Sequence, residues 1–260
     1  MMKKFSWLLL WATIIFSFPS IFKGEEVSQT RGPLLGEKLT YALRWGVLPI
    51  GWATLHVSSI EEYEGHPVYH VVVKGWSNAF LSTFYKVRDY AETYIDVDGL
   101  FSWKFYKKQF EGGYQSEEVM EYDQNRHHAV YHSLKNGSMK EMDIPPKVQD
   151  TLSAIYLFRT LALKTGESVF MDVNADEKNW HLEIKVLDFK KDWEVRRLGI
   201  FDAFYVEPLA EFKGLVEKRG KVWVWISADR RRLPLLVKSK LPFGSVTATL
   251  VKVEVVRHDG

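Results

Sequence analysis

The chain has 260 residues, with 35 Lys and Arg against 33 Asp and Glu, a formal charge of +2. Its 46% hydrophobic and 26% charged fractions are those of a folded globular protein and exclude wholesale disorder or a low-complexity architecture. The absence of Cys removes a disulfide scaffold, a thiolate metal site, a Cys nucleophile and a lipid-modified N-terminal Cys, while 10 Trp, 12 Tyr and 16 Phe make the chain unusually aromatic.

In chain order, Lys3 and Lys4 precede an uncharged, mostly apolar run from Phe5 to Phe18, broken by Pro19, Ser20 and Gly24. The run is shorter than the roughly 20 residues of a spanning helix and suits a signal peptide; extended to Phe22 it suits an uncleaved N-terminal anchor. Residues 1–24 are therefore assigned to export, 25–35 to a flexible lead and 36–258 to a single β-rich domain. Without Lys3, Lys4 and Lys23 the 33 acids outnumber the remaining Lys and Arg by one, a near-neutral balance with no electrostatic footprint for nucleic acid or for an anionic membrane, so membrane contact is expected only through the N-terminal segment if it is uncleaved.

From Glu37 onward the hydrophobic period is two, the period of strands. Ala53, Leu55 and Val57 face one way and Thr54, His56 and Ser58 the other. Ala91, Thr93, Ile95 and Val97 likewise oppose Tyr90, Glu92, Tyr94 and Asp96. Asp98-Gly99 marks a hairpin before Phe101, Trp103 and Phe105, and Asn136-Gly137 is the clearest turn in the chain. The pattern returns after residue 166 in 168–173, 180–189, 201–207, 221–227, 233–240 and 245–256, which brings the expected total to about a dozen strands. One segment breaks the period: from Thr151 to Lys164, Leu152, Ile155, Tyr156, Leu157, Phe158, Leu161 and Leu163 fall at helical spacings, with Asp150 as N-cap and Gly166 as stop. So apolar a helix must be buried on more than one side. It is expected either across the mouth of a curved sheet or as an ordinary packing helix. The predicted fold is mainly β: one strongly curved antiparallel sheet, or an incomplete up-and-down barrel, with a single helix over about 151–164 against it.

Several stretches together resemble a known family. They include Gly36-Glu-Lys-Leu-Thr-Tyr41, Arg44-Trp45-Gly46, Pro49-Ile-Gly51, Phe84-Tyr-Lys-Val-Arg-Asp89, Val148-Gln-Asp-Thr-Leu-Ser-Ala154, Val206-Glu-Pro208 and Asp229-Arg-Arg-Arg-Leu-Pro234. In that order they resemble the exported bacterial family filed as domain of unknown function 3108. The resemblance implies a periplasmic, mainly antiparallel β protein and brings no activity or catalytic residue with it. A curved sheet with one helix is also similar in outline to the lipoprotein-localisation factors, which hold acyl chains; that is an analogy of architecture.

Chemical motifs are sparse. No G-x-S-x-G nucleophile elbow occurs. His128 and His132 lie four residues apart on a predicted strand, some 13 Å at about 3.3 Å per residue, too far to share a metal. His56 and His70 on consecutive strands read as surface neighbours. No metal, cofactor or catalytic residue is assigned, and enzymatic activity is left open as envelope glycan or lipid modification, which would need a clustered polar site with a perturbed acid. Alternating strands also suit an outer-membrane barrel, but Glu183 and Lys185 flanking Ile184 do not suit a lipid-facing band. Two groups remain as ligand-site candidates. Tyr85, Lys86 and Arg88 sit on a predicted strand that presents both cations to one face, for an anionic group or for pairing with Asp89, Glu92 or Glu118. Tyr156 and Phe158 belong to the apolar helix. The function expected from these features is the binding or shuttling of a lipid or other lipophilic envelope molecule in an aromatic-lined concavity. The alternative is a scaffold that binds an envelope protein through a sheet edge or the Lys86/Arg88 face.

Overall fold

A computed structural model describes residues 32–211, 221–242 and 244–256. The predicted export segment and most of the lead lie outside the described residues. The architecture is one antiparallel sheet of 14 strands. The first half is a meander: β1 (Glu37–Trp45), β2 (Leu48–Tyr63), β3 (His66–Ser77), β4 (Arg88–Asp96), β5 (Ser102–Glu111), β6 (Tyr114–Asp123), β7 (His128–Ser133) and β8 (Met139–Asp143). A short helix α1 (Ala79–Ser82) joins β3 to β4, and α2 (Ser153–Thr160) lies between the halves. The second meander runs through β9 (Ser168–Ala175), β10 (Lys178–Val195), β11 (Gly199–Glu211), β12 (Lys221–Ser227), β13 (Pro234–Leu241) and β14 (Gly244–Val255). β14 pairs with β1, which leaves β8 and β9 as the two edges.

The sheet curls until those edges almost meet. Lys140 on β8 reaches Glu177 in the β9–β10 turn at 3.1 Å, and the Asn179 amide donates to the Asp143 carbonyl at 2.6 Å. The intervening gap is filled by the chain leaving β8, where Gln149 pairs in parallel with β9 through Gln149 N–H to Asp172 O and Asn174 N–H to Gln149 O. The barrel is thus incomplete and laced shut by side chains and one bridge. Curvature comes from register shifts, among them Thr40/Tyr41, Val57/Ser59, Tyr94/Ile95 and two along β10. Each inserts a bend and extra twist into a strand that would otherwise run flat. At Gly51 the strands approach so closely that a Cβ would stand 2.0 Å from the Trp76 carbonyl oxygen, so only glycine fits there.

The alternation read from the sequence sets the two faces. Leu39, Tyr41, Leu55, Val57, Val71, Val73, Ala91 and Ile95 are buried inside, and Thr54, His56, Lys74, Tyr90 and Glu92 lie on the outer face. The helix is shorter than its apolar spacing suggests. It spans 8 residues and ends where Leu161 turns extended at φ −76°, ψ 147°. Leu161 and Leu163 still pack, but as extended chain against the cluster of Met171, Val173, Ile184 and Val206. Gly166 is no helix stop; it sits at φ +86° further on, its N–H bonded to Val186 O. Asp150 is not the N-cap, a position held by Leu152 without a side-chain cap bond; two residues before it, Asp150 instead closes the preceding turn by accepting from Leu152 N–H and Ser153 N–H.

Candidate functional site

The antiparallel order gives the barrel two distinct ends. At one end lie the β12–β13 turn, the start of β1 and the segment 144–167, and here α2 plugs the interior. Tyr156 joins Tyr41, Leu39, Val195 and Leu235 in the main core, while Phe158 packs with Met171, Val173 and Ile184. Arg159 fixes the plug from the helix. Its guanidinium donates to both Glu37 oxygens at 2.6 and 2.8 Å and to the Arg231 carbonyl at 2.9 Å, the whole pair being buried. Burial raises the Tyr41 and Tyr156 phenols far above their usual range, Arg159 opposing. A second anchor is the buried Asp150 carboxylate, which accepts from the Thr93 hydroxyl on β4; burial pushes its pKa up, and hydrogen bonds from Ser102 and Thr93 pull against that. These groups hold the helix down. Tyr156 and Phe158 are therefore wall and plug, with the Tyr156 hydroxyl buried and without a hydrogen-bond partner among the described residues.

The other end, hereafter the far end, is framed by the β1–β2 turn, α1 and the β5–β6 and β7–β8 turns. Here the inner face changes character. Asp89 on β4 and Lys107, Gln109 and Glu111 on β5 are all buried. Phe110 N–H donates to Asp89 Oδ1 at 3.1 Å, and Asp89 and Glu111 share a side-chain hydrogen bond. Gln109 donates to Glu111 at 3.3 Å and accepts from Ser116 at 3.1 Å, and Lys107 meets Glu118 at 2.5 Å. Burial lifts the Asp89 carboxyl from 3.8 to about 6, against the opposing pull of the Glu111 hydrogen bond, the Phe110 N–H and the Lys107 charge.

The predicted ligand residues are not gathered into one place. Tyr85, Lys86 and Arg88 stand at the far end, remote in the fold from Tyr156 and Phe158 on the plug. Tyr85 lies over Gly112, beside the acid pair, and burial raises its phenol with Glu111 and Asp89 adding to the effect. Lys86 precedes β4 rather than lying in it, yet it and Arg88 are both exposed and alternate with buried Val87 and Asp89. Of the partners expected for these cations, Glu92 is taken by His70 at 3.1 Å and Glu118 by Lys107, and Asp89 points inward. Arg88 instead donates to the Val87 and Ser77 carbonyls. The buried quartet Asp89, Lys107, Gln109 and Glu111 was not singled out from the sequence, although a signal existed: continuing the Phe101, Trp103, Phe105 alternation puts Lys107, Gln109 and Glu111 on the same face.

The two strand histidines are neighbours on the outer face, where His56 and His70 line a depression of about 430 Å³ with Lys38, Thr54, Ser58, Ser59, Val72, Lys74 and Tyr90. The hydrogen bond to Glu92 raises the His70 pKa, with Glu61 assisting against burial. Among the described residues no three His, Asp or Glu side chains are placed to hold a metal ion.

Residues 40–251 match the family described as "Protein of unknown function (DUF3108)". The chain belongs to that family. No curated protein matches it. Among solved structures it is similar to a β-barrel-like protein of domain of unknown function DUF1849 from Brucella abortus, at 12% identity and a TM-score of 0.62. That likeness covers 87% of this chain and 100% of the other, and shows the β-barrel-like fold. Weaker superpositions, each at a TM-score of 0.33, link it to a candidate exported protein with YmcC-like fold from Bacteroides fragilis and a candidate lipoprotein from Parabacteroides distasonis. The first shares 11% identity over 86% of this chain and 97% of its own, the second 8% over 88% and 100%.

Proposed function

We propose that this member of the DUF3108 family is an exported, non-enzymatic protein that binds an amphiphilic molecule of the cell envelope at the far end of its barrel. Export is supported by the charged start and the apolar Phe5–Phe18 run. The observation that carries the reading is the buried quartet Asp89, Lys107, Gln109 and Glu111. Charged groups on an inner face each cost several kcal/mol unless compensated, and this quartet, unlike the buried Arg159–Glu37 pair, anchors no packing helix. Facing a polar head group, the same residues become recognition elements, while the apolar side chains Leu209, Val222 and Val237 of the second meander form a cluster suited to an acyl or ring portion. Aromatic side chains on α2 belong to the plug in this reading, and the ligand lies on the side of the barrel away from it.

The test is native mass spectrometry and organic extraction of the protein purified from a bacterial periplasm. One lipid or lipophilic molecule per chain is the expected result. A bare mass, unchanged after incubation with envelope lipids, overturns the proposal. A second reading draws on the same acid pair: a carboxyl raised to about 6 beside another carboxylate is suited to general acid–base work on an envelope glycan or lipid. It predicts a mass change in such a substrate that disappears in both Asp89→Asn and Glu111→Gln. The scaffold alternative has less support, because the β8 edge is only 5 residues long and carries Lys140, Glu141 and Asp143, a guarded edge poorly suited to strand addition.

A further inference from the structure

At the far end the tips of two neighbouring connections are apolar and unburied. In the β1–β2 hairpin, residues 44–49 are all exposed, and Val47 at the tip is 79% exposed. Beside it α1 presents Phe80 at 69% and the turn that follows presents Phe84 at 75%, their rings 5.7 Å apart. The two connections form one rim: the Asn78 side chain donates to the Pro49 carbonyl at 2.6 Å, and Asn78 N–H donates to Ile50 O at 2.9 Å. Leu81, between the two phenylalanines, packs into the main core and so holds them outward. Folding does not require this exposure. Leaving two Phe, a Trp, a Val and a Leu in water at adjacent tips forfeits the burial free energy of each.

The charges on the rim point to the occupant. Arg44, Lys86 and Arg88 are exposed around these tips, and among the described residues Arg44 donates to the Val47 carbonyl and Arg88 to the Ser77 and Val87 carbonyls. Residues 44–49 and 78–88 contain no Asp or Glu, and Asp89, which follows them in the chain, is buried within the barrel, as is Glu111. Protruding aromatic and aliphatic tips with cations behind them, and no acid within either connection, are complementary to a membrane interface. The apolar tips enter the acyl boundary and the cations meet anionic head groups. A globular protein partner would instead be met by a flatter patch with paired polar groups along its rim. We infer that the far-end rim formed by Trp45, Val47, Leu48, Phe80 and Phe84, with Arg44, Lys86 and Arg88, docks the barrel on a lipid surface bearing anionic head groups. This docking is independent of whether the barrel carries a cargo.

The experiment is co-sedimentation of the exported protein with vesicles of phosphatidylcholine alone and with 30% phosphatidylglycerol, at low and at 0.5 M salt. Binding is expected to the anionic vesicles, weakening with salt. Phe80→Ser combined with Phe84→Ser should lower it about tenfold or more on the loss of two buried rings. Lys86→Gln combined with Arg88→Gln should lower it about fivefold per charge on anionic vesicles, with little effect on neutral ones. All four substituted positions are exposed, so unchanged circular dichroism and melting temperature establish that the variants fold. No binding by the folded wild-type protein to anionic vesicles at low salt overturns the inference. So does equal binding by the wild type and both double variants. A concentration-dependent dimer in sedimentation velocity, abolished by the Phe80/Phe84 variant while vesicles remain unbound, also overturns it by assigning the rim to a second copy of the chain.

Discussion

Replacing Asp89 by Asn isolates the energetic cost of the buried acid pair. In the folded protein the Asp89 pKa is lifted by burial from 3.8 to about 6, so ionising it in place is harder than in the unfolded chain by roughly two units, about 3 kcal/mol. The folded state therefore binds more protons than the unfolded state between these values. Stability falls as pH rises from about 4 through about 6, and above that the whole penalty is present. Asn fits the same bonds without the charge: its oxygen accepts from Phe110 N–H and its amide donates to Glu111. The loss of charge assistance at Phe110 takes back about 1 kcal/mol. The net expectation is that Asp89→Asn is more stable than wild type by about 1–3 kcal/mol at pH 8, or about 3–10 °C in melting temperature, and that this advantage disappears near pH 4. Urea unfolding followed by Trp fluorescence at pH 4, 6 and 8 measures it. A variant less stable than wild type at pH 8, or a difference that does not change with pH, would refute the reasoning, because either result means that the ionised carboxylate is well solvated or well paired.

Two further substitutions test the plug. Arg159→Ala leaves Glu37 buried without its partner and should cost about 3–5 kcal/mol, whereas Arg159→Met combined with Glu37→Leu should recover most of that; urea midpoints of the three proteins decide it. Tyr156→Phe removes a buried hydroxyl that has no partner among the described residues and keeps the ring 5.2 Å from the Arg159 guanidinium. It should raise stability by about 1 kcal/mol in thermal melts, and a clear loss of stability would place an unseen hydrogen-bond partner at that oxygen.

How much of this was legible in the sequence depends on the range over which each residue acts. Strand faces were legible because the constraint is local: Ala91, Thr93 and Ile95 must point one way if Tyr90, Glu92 and Tyr94 point the other, and all three are fully buried. The length of α2 was not, because helical spacing at Leu161 and Leu163 is also met by an extended chain lying on β9 and β10. The curvature that nearly joins β8 to β9 rests on bulges, which leave no compositional mark. The Arg159–Glu37 pair spans 122 positions, so neither residue announces the other. Lys86 and Arg88 are both exposed and alternate with buried Val87 and Asp89, but no local pattern shows that Glu92 is spoken for by His70 across the sheet.

The acid pair is the instructive case, since half of its signal was local. Along β4 the inward row runs Ile95, Thr93, Ala91 and then Asp89; along β5 it runs from Phe105 to Lys107, Gln109 and Glu111. β5 turns polar at Lys107, opposite Ala91, and β4 one inward position further on at Asp89, both on the side away from α2. One such switch can be absorbed as a strand end reaching solvent. Here Asp89, Gln109 and Glu111 are instead 4%, 3% and 1% exposed, so the switch occurs under cover. A sheet selected only to fill its barrel would continue its apolar row, as β2 does with Leu55 and Val57, because volume-matched aliphatic side chains would satisfy packing without the desolvation cost. Its chemical change on these two adjacent strands distinguishes the half where α2 supplies the core from a half whose inner wall carries charged and amide groups. The apolar rim of the β1–β2 hairpin and the 78–84 connection stands at that same end, so the proposed membrane-docking surface and the proposed ligand-receiving wall share one end of the barrel.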